Sequence, residues 1–151
     1  MAYQKLQVER ALEVIASDTI NIPNVAGPSA SGTTDGDTAN KLVDSTASFT
    51  SNLVGYIVYS GTQVAKVTAV DDAGTLSLSA DIMDSGESYT LYADDNNGCV
   101  LYAGSGGDIK VLTAGNDEVT FRDVLEGAFI PVQVKRVFAT PTPPAGIIAL
   151  W

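Results

Sequence analysis

The feature that most constrains this chain is the rhythm of its turn signals. Short runs rich in β-branched and aromatic residues are interrupted by "YSGTQ" (59–63), "DDAGT" (71–75), "DDNNG" (94–98), "GSGG" (104–107), "GND" (115–117), "LEG" (125–127) and "PTPPA" (141–145). Glycine, proline, asparagine and aspartate at roughly ten-residue intervals leave room for strands but seldom for a globular helix. The expectation is an all-β, antiparallel fold.

Between the turns the residues alternate as strands do. In "TLSLSA" Leu76 and Leu78 share one face with serines opposite. In "VAKVTAV", Val64, Lys66, Thr68 and Val70 oppose Ala65, Val67 and Ala69. The middle of the chain reads as strands at 42–44, 55–60, 63–70, 75–80 and 88–93. The last third reads as strands at 99–104, 108–115, 118–124, 128–140 and 146–151. Within 129–139 simple alternation sets Ile130, Val132, Val134 and Arg136 against Pro131, Gln133, Lys135 and Val137, and Pro131 predicts an edge or a bulge because it lacks an N–H. Near the start, a strand around Ala11–Ala16 or a short helix both fit, and "DTINIP" (18–23) reads as a further strand.

Charge divides the chain. Residues 30–97 hold ten acids (Asp35, Asp37, Asp44, Asp71, Asp72, Asp81, Asp84, Glu87, Asp94, Asp95) against Lys41 and Lys66, so most of the net charge of −10 lies there. The stretch "NVAGPSASGTTDGDTAN" (24–40) reads as a linker and "ADDNNG" (93–98) as a turn. Residues 1–29 with 98–151 are therefore expected to form a discontinuous β-sandwich-like base with an N-terminal arm, and 30–97 an inserted, acidic, small β-barrel. Closure is how so small a sheet hides its edges.

The same composition narrows function. Eight basic side chains against eighteen acidic ones, with no basic cluster, disfavour nucleic acid and an anionic membrane surface. The start lacks the pattern of a secretory signal and no apolar run is long enough to cross a bilayer, so synthesis in a cytoplasm is expected. Histidine is absent, which removes the commonest general base and the commonest transition-metal ligand. The lone Cys99 can form no internal disulfide and reads as a small buried hydrophobe.

Other candidate sites read as structure. "GSGGD" (104–108) opens a strand, not a helix, and so reads as a hairpin turn instead of a phosphate loop. Asp81, Asp84 and Glu87 fit solvated turn acids, and neither they nor "DDNNG" match a calcium loop. Tyr56, Tyr59, Tyr89 and Tyr92 fit half-buried strand positions, with a sugar platform as the alternative. No catalytic residue, cofactor or metal is expected.

The ending "IPVQVKRVFATPTPPAGIIALW" is apolar to its last residue, where termini are usually polar and frayed. Such a strand needs a neighbour and a place for its indole. With "ALEVIASDTINIP" and "CVLYAGSGGDIKVLTAGNDEVTFRDV", it resembles a group of small tailed-phage structural proteins that includes the spike-base proteins of phage-like gene transfer agents. Members read as "PSDT", "ALYVGTAGDVKV", "VTFxNVPxGxxLPVRVKRVWATGTTA" and a terminal "IVALY/W". Ser17–Thr19, Leu101–Gly104, Gly107–Val111, Val119–Phe121, Pro131–Val137 and Ile147–Trp151 line up with these. Ala16 replaces the proline of "PSDT", and "PTPPAG" replaces "GTTA". The middle module looks like an insertion that serves in phage virion proteins as a decorating barrel.

The resemblance implies a component of a bacteriophage virion, made in the host cytoplasm, without fixing its place in the particle; the expected function is non-enzymatic, as a head decoration or vertex spike-base subunit. A homo-oligomer of three or five copies, attached to the major capsid protein or other virion proteins, is expected. A tail or neck protein, or a carbohydrate-binding module for host adsorption, is the alternative. The subunit or capsid contact is expected at Tyr3, Leu6, Val8, Leu12, Phe129, Ile147, Ile148, Leu150 and Trp151.

Overall fold

A computed structural model of the chain describes residues 8–27 and 29–151, and among these it is all-β and antiparallel. The strands are β1 (Ala11–Glu13), β2 (Ala30–Thr33), β3 (Lys41–Val43), β4 (Ile57–Ser60), β5 (Gln63–Asp72), β6 (Thr75–Leu78), β7 (Ser88–Tyr92), β8 (Cys99–Ala103), β9 (Gly107–Thr113), β10 (Glu118–Val124), β11 (Phe129–Val137) and β12 (Ile147–Leu150). The single helical element described is a 3-10 turn at Ser51–Leu53. The chain forms two compact units, one of residues up to Ile22 with Asn96–Trp151, the other Pro23–Asp95.

The first unit, the base, is a six-stranded sheet in the order β1-β12-β8-β11-β9-β10. Its core gathers Ile22, Cys99, Leu101, Ala103, Ile109, Val111, Ile130, Val134, Val137, Ile147 and Ala149. Those from β8, β9 and β12 sit at every second position of their strands, as a pleated sheet with one buried face requires.

In β11 the alternation breaks. Its register shifts between Ile130 and Val134 and again between Val134 and Arg136. Val137 is buried, although simple alternation assigns it to the face of Gln133 and Lys135. An irregular ladder adds residues to one strand and reverses the facing of the residues beyond it. β11 is an interior strand, so of the two expectations for Pro131 the bulge is the one realised.

The segment 18–23 is not a strand. The Ser17 hydroxyl accepts the N–H of Ile20 at 3.0 Å and of Thr19 at 3.3 Å, and this side-chain turn replaces an extended ladder. The chain then rejoins the sheet through the Ile22 N–H to the Lys135 carbonyl at 2.8 Å.

In the second unit the order is β2-β7-β4-β5-β6-β3. This sheet curls like a barrel around Leu42, Val58, Ala65, Val67, Leu76, Leu78, Tyr89 and Leu91. After β2 the chain leaves β7 and reaches β3, where the Asp35 N–H donates to the Val43 carbonyl and Gly36 bridges Val43. That bridge ties the segment after β2 to the edge strand β3. β2 lies inside the stretch read from sequence as a linker. The units divide at Ile22/Pro23 and Asp95/Asn96, while composition placed the boundaries at 29/30 and 97/98. The Asn24–Ala93 bridge explains part of the difference, because it keeps Asn24 with the second unit.

Candidate interaction surface

The candidate surface rests on how the last strand is held. β12 lies between β1 and β8, with Ile148 opposite Tyr102 and Leu150 opposite Val100. On its other side Ala11 faces Leu150 and Glu13 faces Ile148. The chain end is tied on both sides: the Trp151 N–H donates to the Arg10 carbonyl at 3.0 Å, and the Glu9 N–H donates to the Trp151 carbonyl at 2.7 Å. The indole N–H donates to Asn96 Oδ1 at 3.2 Å while the ring packs on the base core. The apolar ending is therefore accounted for within one copy of the chain.

Alternation along β12 and β8 sends Ile147, Ala149, Cys99, Leu101 and Ala103 inward and leaves Ile148, Leu150, Val100 and Tyr102 on the outer face. Across the sheet Tyr102 also opposes Phe129, with ring centroids 5.4 Å apart. The outer face thus carries a row Ile148–Tyr102–Phe129, and Phe129 is 59% exposed. Beside it the β10–β11 turn lifts Leu125, 75% exposed, into solvent.

The nine residues expected at a contact do not share one environment. Ile147 is buried among Leu101, Ile109 and the rest of the core, so it presents no surface, and that expectation is corrected. Leu12 opposes the buried Ala149 and lies half-buried on the inner side. Trp151 is half-buried against the core. Ile148, Leu150 and Phe129 are on the outer face, and Val8 is exposed. Tyr3 and Leu6 lie outside the described residues. Sequence reasoning overlooked Tyr102, Val100 and Leu125, although the alternation in "CVLYAG" already separates Val100 and Tyr102 from Cys99, Leu101 and Ala103.

Cys99, Asp81 and Glu87 are each held in a structural contact. Cys99 is 1% exposed, its thiol is pushed up to about 12 by burial, and its Sγ donates to the Val134 carbonyl at 3.2 Å. Asp81 accepts the Asn40 N–H at 2.8 Å, and Glu87 accepts the Asp84 N–H at 3.1 Å, so both acids cap turns. In the "GSGG" turn a Cβ on Gly104 would run into the Gly146 carbonyl, which explains the glycine without a ligand. No group of three or more metal-ligating side chains occurs among the described residues.

Three of the four tyrosines of the acidic module are engaged with other rings or with Asp44. Tyr59 meets Tyr92 edge to face at 5.6 Å, and Tyr89 is buried with its hydroxyl on Asp44 at 2.7 Å. Tyr56 borders an open groove of about 480 Å³ with Val54, the Lys66–Asp94 ion pair and Asp95. Among the described residues no helix is long and apolar enough to cross a membrane.

In comparisons with known proteins, the chain matches no family model, no curated protein and no solved structure.

Proposed function

We propose that this chain is a non-enzymatic structural component of a bacteriophage virion, a head decoration or vertex spike-base subunit that self-associates and attaches to the capsid. The observation that carries the reading is the outer row Ile148–Tyr102–Phe129 on the base sheet. A contiguous apolar row capped by a phenylalanine more than half exposed favours burial against another protein.

The matched stretches Ser17–Thr19, Leu101–Gly104, Gly107–Val111, Val119–Phe121, Pro131–Val137 and Ile147–Trp151 support the same reading, because they fall together in the base unit. Ser17–Thr19 and the strand bearing Pro131–Val137 meet there: Arg136 donates through Nε to Asn21 Oδ1 and through a terminal nitrogen to the Asp18 carbonyl, each at 3.0 Å. The acidic unit adds negative charge, which favours solubility and discourages nonspecific association with DNA.

Immunogold labelling of phage particles with an antibody to the purified chain tests the proposal. Gold at the head or at a vertex is the expected result; gold at the tail or neck selects the alternative position. Absence from intact particles overturns the proposal. The groove beside Tyr56 supports a second reading, a host-glycan site, which requires retention on a sugar column that Tyr56→Ala abolishes.

A further inference from the structure

We propose that the free edge of β10 pairs with β10 of a second copy, antiparallel about a twofold axis through Thr120. At one end of the base sheet β10 pairs with β9 alone, and among the described residues no strand covers its other edge. The opposite edge strand, β1, has three residues, and the edge strands of the second sheet, β2 and β3, have four and three. β10 runs for seven residues, which makes it the long open edge of the molecule as described.

The ladder with β9 determines which backbone groups point outward. Leu112 faces Glu118, Val111 faces Val119, Lys110 faces Thr120 and Ile109 faces Phe121. The Thr113 N–H donates to the Asp117 carbonyl at 2.9 Å, so that pair is hydrogen-bonded. By antiparallel alternation Val119 and Phe121 also bond to β9, while Glu118 and Thr120 turn their N–H and C=O to the open side. A second strand must therefore bond through Glu118 and Thr120.

Charge selects both the occupant and the register. With the axis at Thr120, each Thr120 exchanges hydrogen bonds with its mate and Glu118 faces Arg122 of the other copy at both ends of the pairing. An axis at Val119 would set Glu118 against Thr120. One at Phe121 would set Arg122 against Thr120 and Glu118 against Val124. The Thr120 register alone opposes the two charges.

The flanking residues extend the match. Glu118 is bound to Lys110 at 3.0 Å and Arg122 to Asp108 at 3.5 Å, so the pairing makes a ladder of alternating sign: Lys110, Glu118, Arg122 of the second copy and its Asp108. On the inner side Val119, 39% exposed, comes opposite Phe121 of the other copy and is covered. The register shift between Phe121 and Val124, where Asp123 takes a φ of 50° and the Asp108 carboxylate accepts its N–H at 2.9 Å, interrupts the edge beyond Arg122 and limits the contact to this short stretch.

This contact joins like to like, whereas a ring of three or five joins unlike patches. The inference does not depend on the virion reading. Sedimentation equilibrium of the full chain tests it. Thr120→Pro removes an N–H that points away from β9, so the ladder within the subunit survives and the dimer is lost. Glu118→Arg or Arg122→Glu alone weakens dimerisation roughly tenfold, and the double exchange E118R/R122E restores it. A chain that stays monomeric at every concentration overturns the inference. A trimer or pentamer indifferent to these changes does so too, and leaves the immunogold result standing. A dimer with no gold on particles upholds the contact and sinks only the virion reading.

Discussion

Asp18 and Thr140, 122 residues apart in the chain, are clasped by two hydrogen bonds: the Thr140 N–H donates to Oδ1 at 3.0 Å and its hydroxyl to Oδ2 at 2.8 Å. These bonds, the hydroxyl's first, hold the Asp18 carboxyl below its usual 3.8. A depressed folded value means that the clasp stabilises above the unfolded pKa and fades as the pH falls through the folded one. Asp18→Asn should lower the urea midpoint of the base at about pH 7 and flatten the loss of stability on acidification. An unchanged midpoint would show that the two bonds are worth no more than their exchange with water.

Tyr89 and Asp44 form a buried pair in the other unit. The carboxyl is held below its usual range first by the Thr46 hydroxyl and then by Tyr89, while burial and the carboxylate push the phenol well above its usual 10.0. The signs give opposite limbs. The aspartate's contribution disappears as the pH falls through its lowered value, and the tyrosine's disappears as the pH rises beyond 10.0. Tyr89→Phe should cost about 1–3 kcal/mol by leaving the buried carboxylate one donor short. It should also remove the part of the alkaline limb that Tyr89 contributes in a urea series across pH, leaving the part that belongs to Cys99.

The same pair explains Gly32. A Cβ at that position would stand 2.6 Å from both Asp44 Oδ2 and the Tyr89 hydroxyl. Gly32→Ala must therefore move the strand or break the pair, and the expected loss is about 1–3 kcal/mol. Circular dichroism against urea reads it, and combining the change with Tyr89→Phe should recover part of the loss because the hydroxyl is gone.

Gly32 also marks where sequence reading stopped. The turn spacing and alternation are local signals, so β3 to β12 were legible from them, as was the all-β class. β2 is "ASGT", whose residues neither alternate in polarity nor favour strands; it is a strand because its backbone lies over Tyr89, 57 positions away. Val137 was misplaced for the converse reason. Its facing depends on irregularities in β11 that appear only once β8 and β9 are aligned beside it. At the candidate surface the terminal segment was recognisable as strand, but which of Ile147 and Ile148 faced inward depended on its neighbours.

Cys99 and Trp151 report on the base from two sides of Asn96, and they make the role of the last strand measurable. Asn96 Oδ1 accepts the indole N–H and the Gly98 N–H, and its amide nitrogen reaches the Val134 carbonyl at 3.4 Å. Native protein should show slow reaction of Cys99 with a thiol reagent, since the thiol is buried and its pKa is raised to about 12. Asn96→Ala should red-shift the Trp151 emission and cost about 1–3 kcal/mol while Cys99 stays protected. Deleting Gly146–Trp151 is a different matter, because it removes the strand between β1 and β8 and uncovers one edge of β8. Leu101 and Ala103 then lose Ala149 and Ile147 as neighbours, and Cys99 should react at the unfolded rate without denaturant. A truncated chain that keeps Cys99 protected would mean that β8, β11 and β9 close the core by themselves, and that β12 belongs to an interface instead.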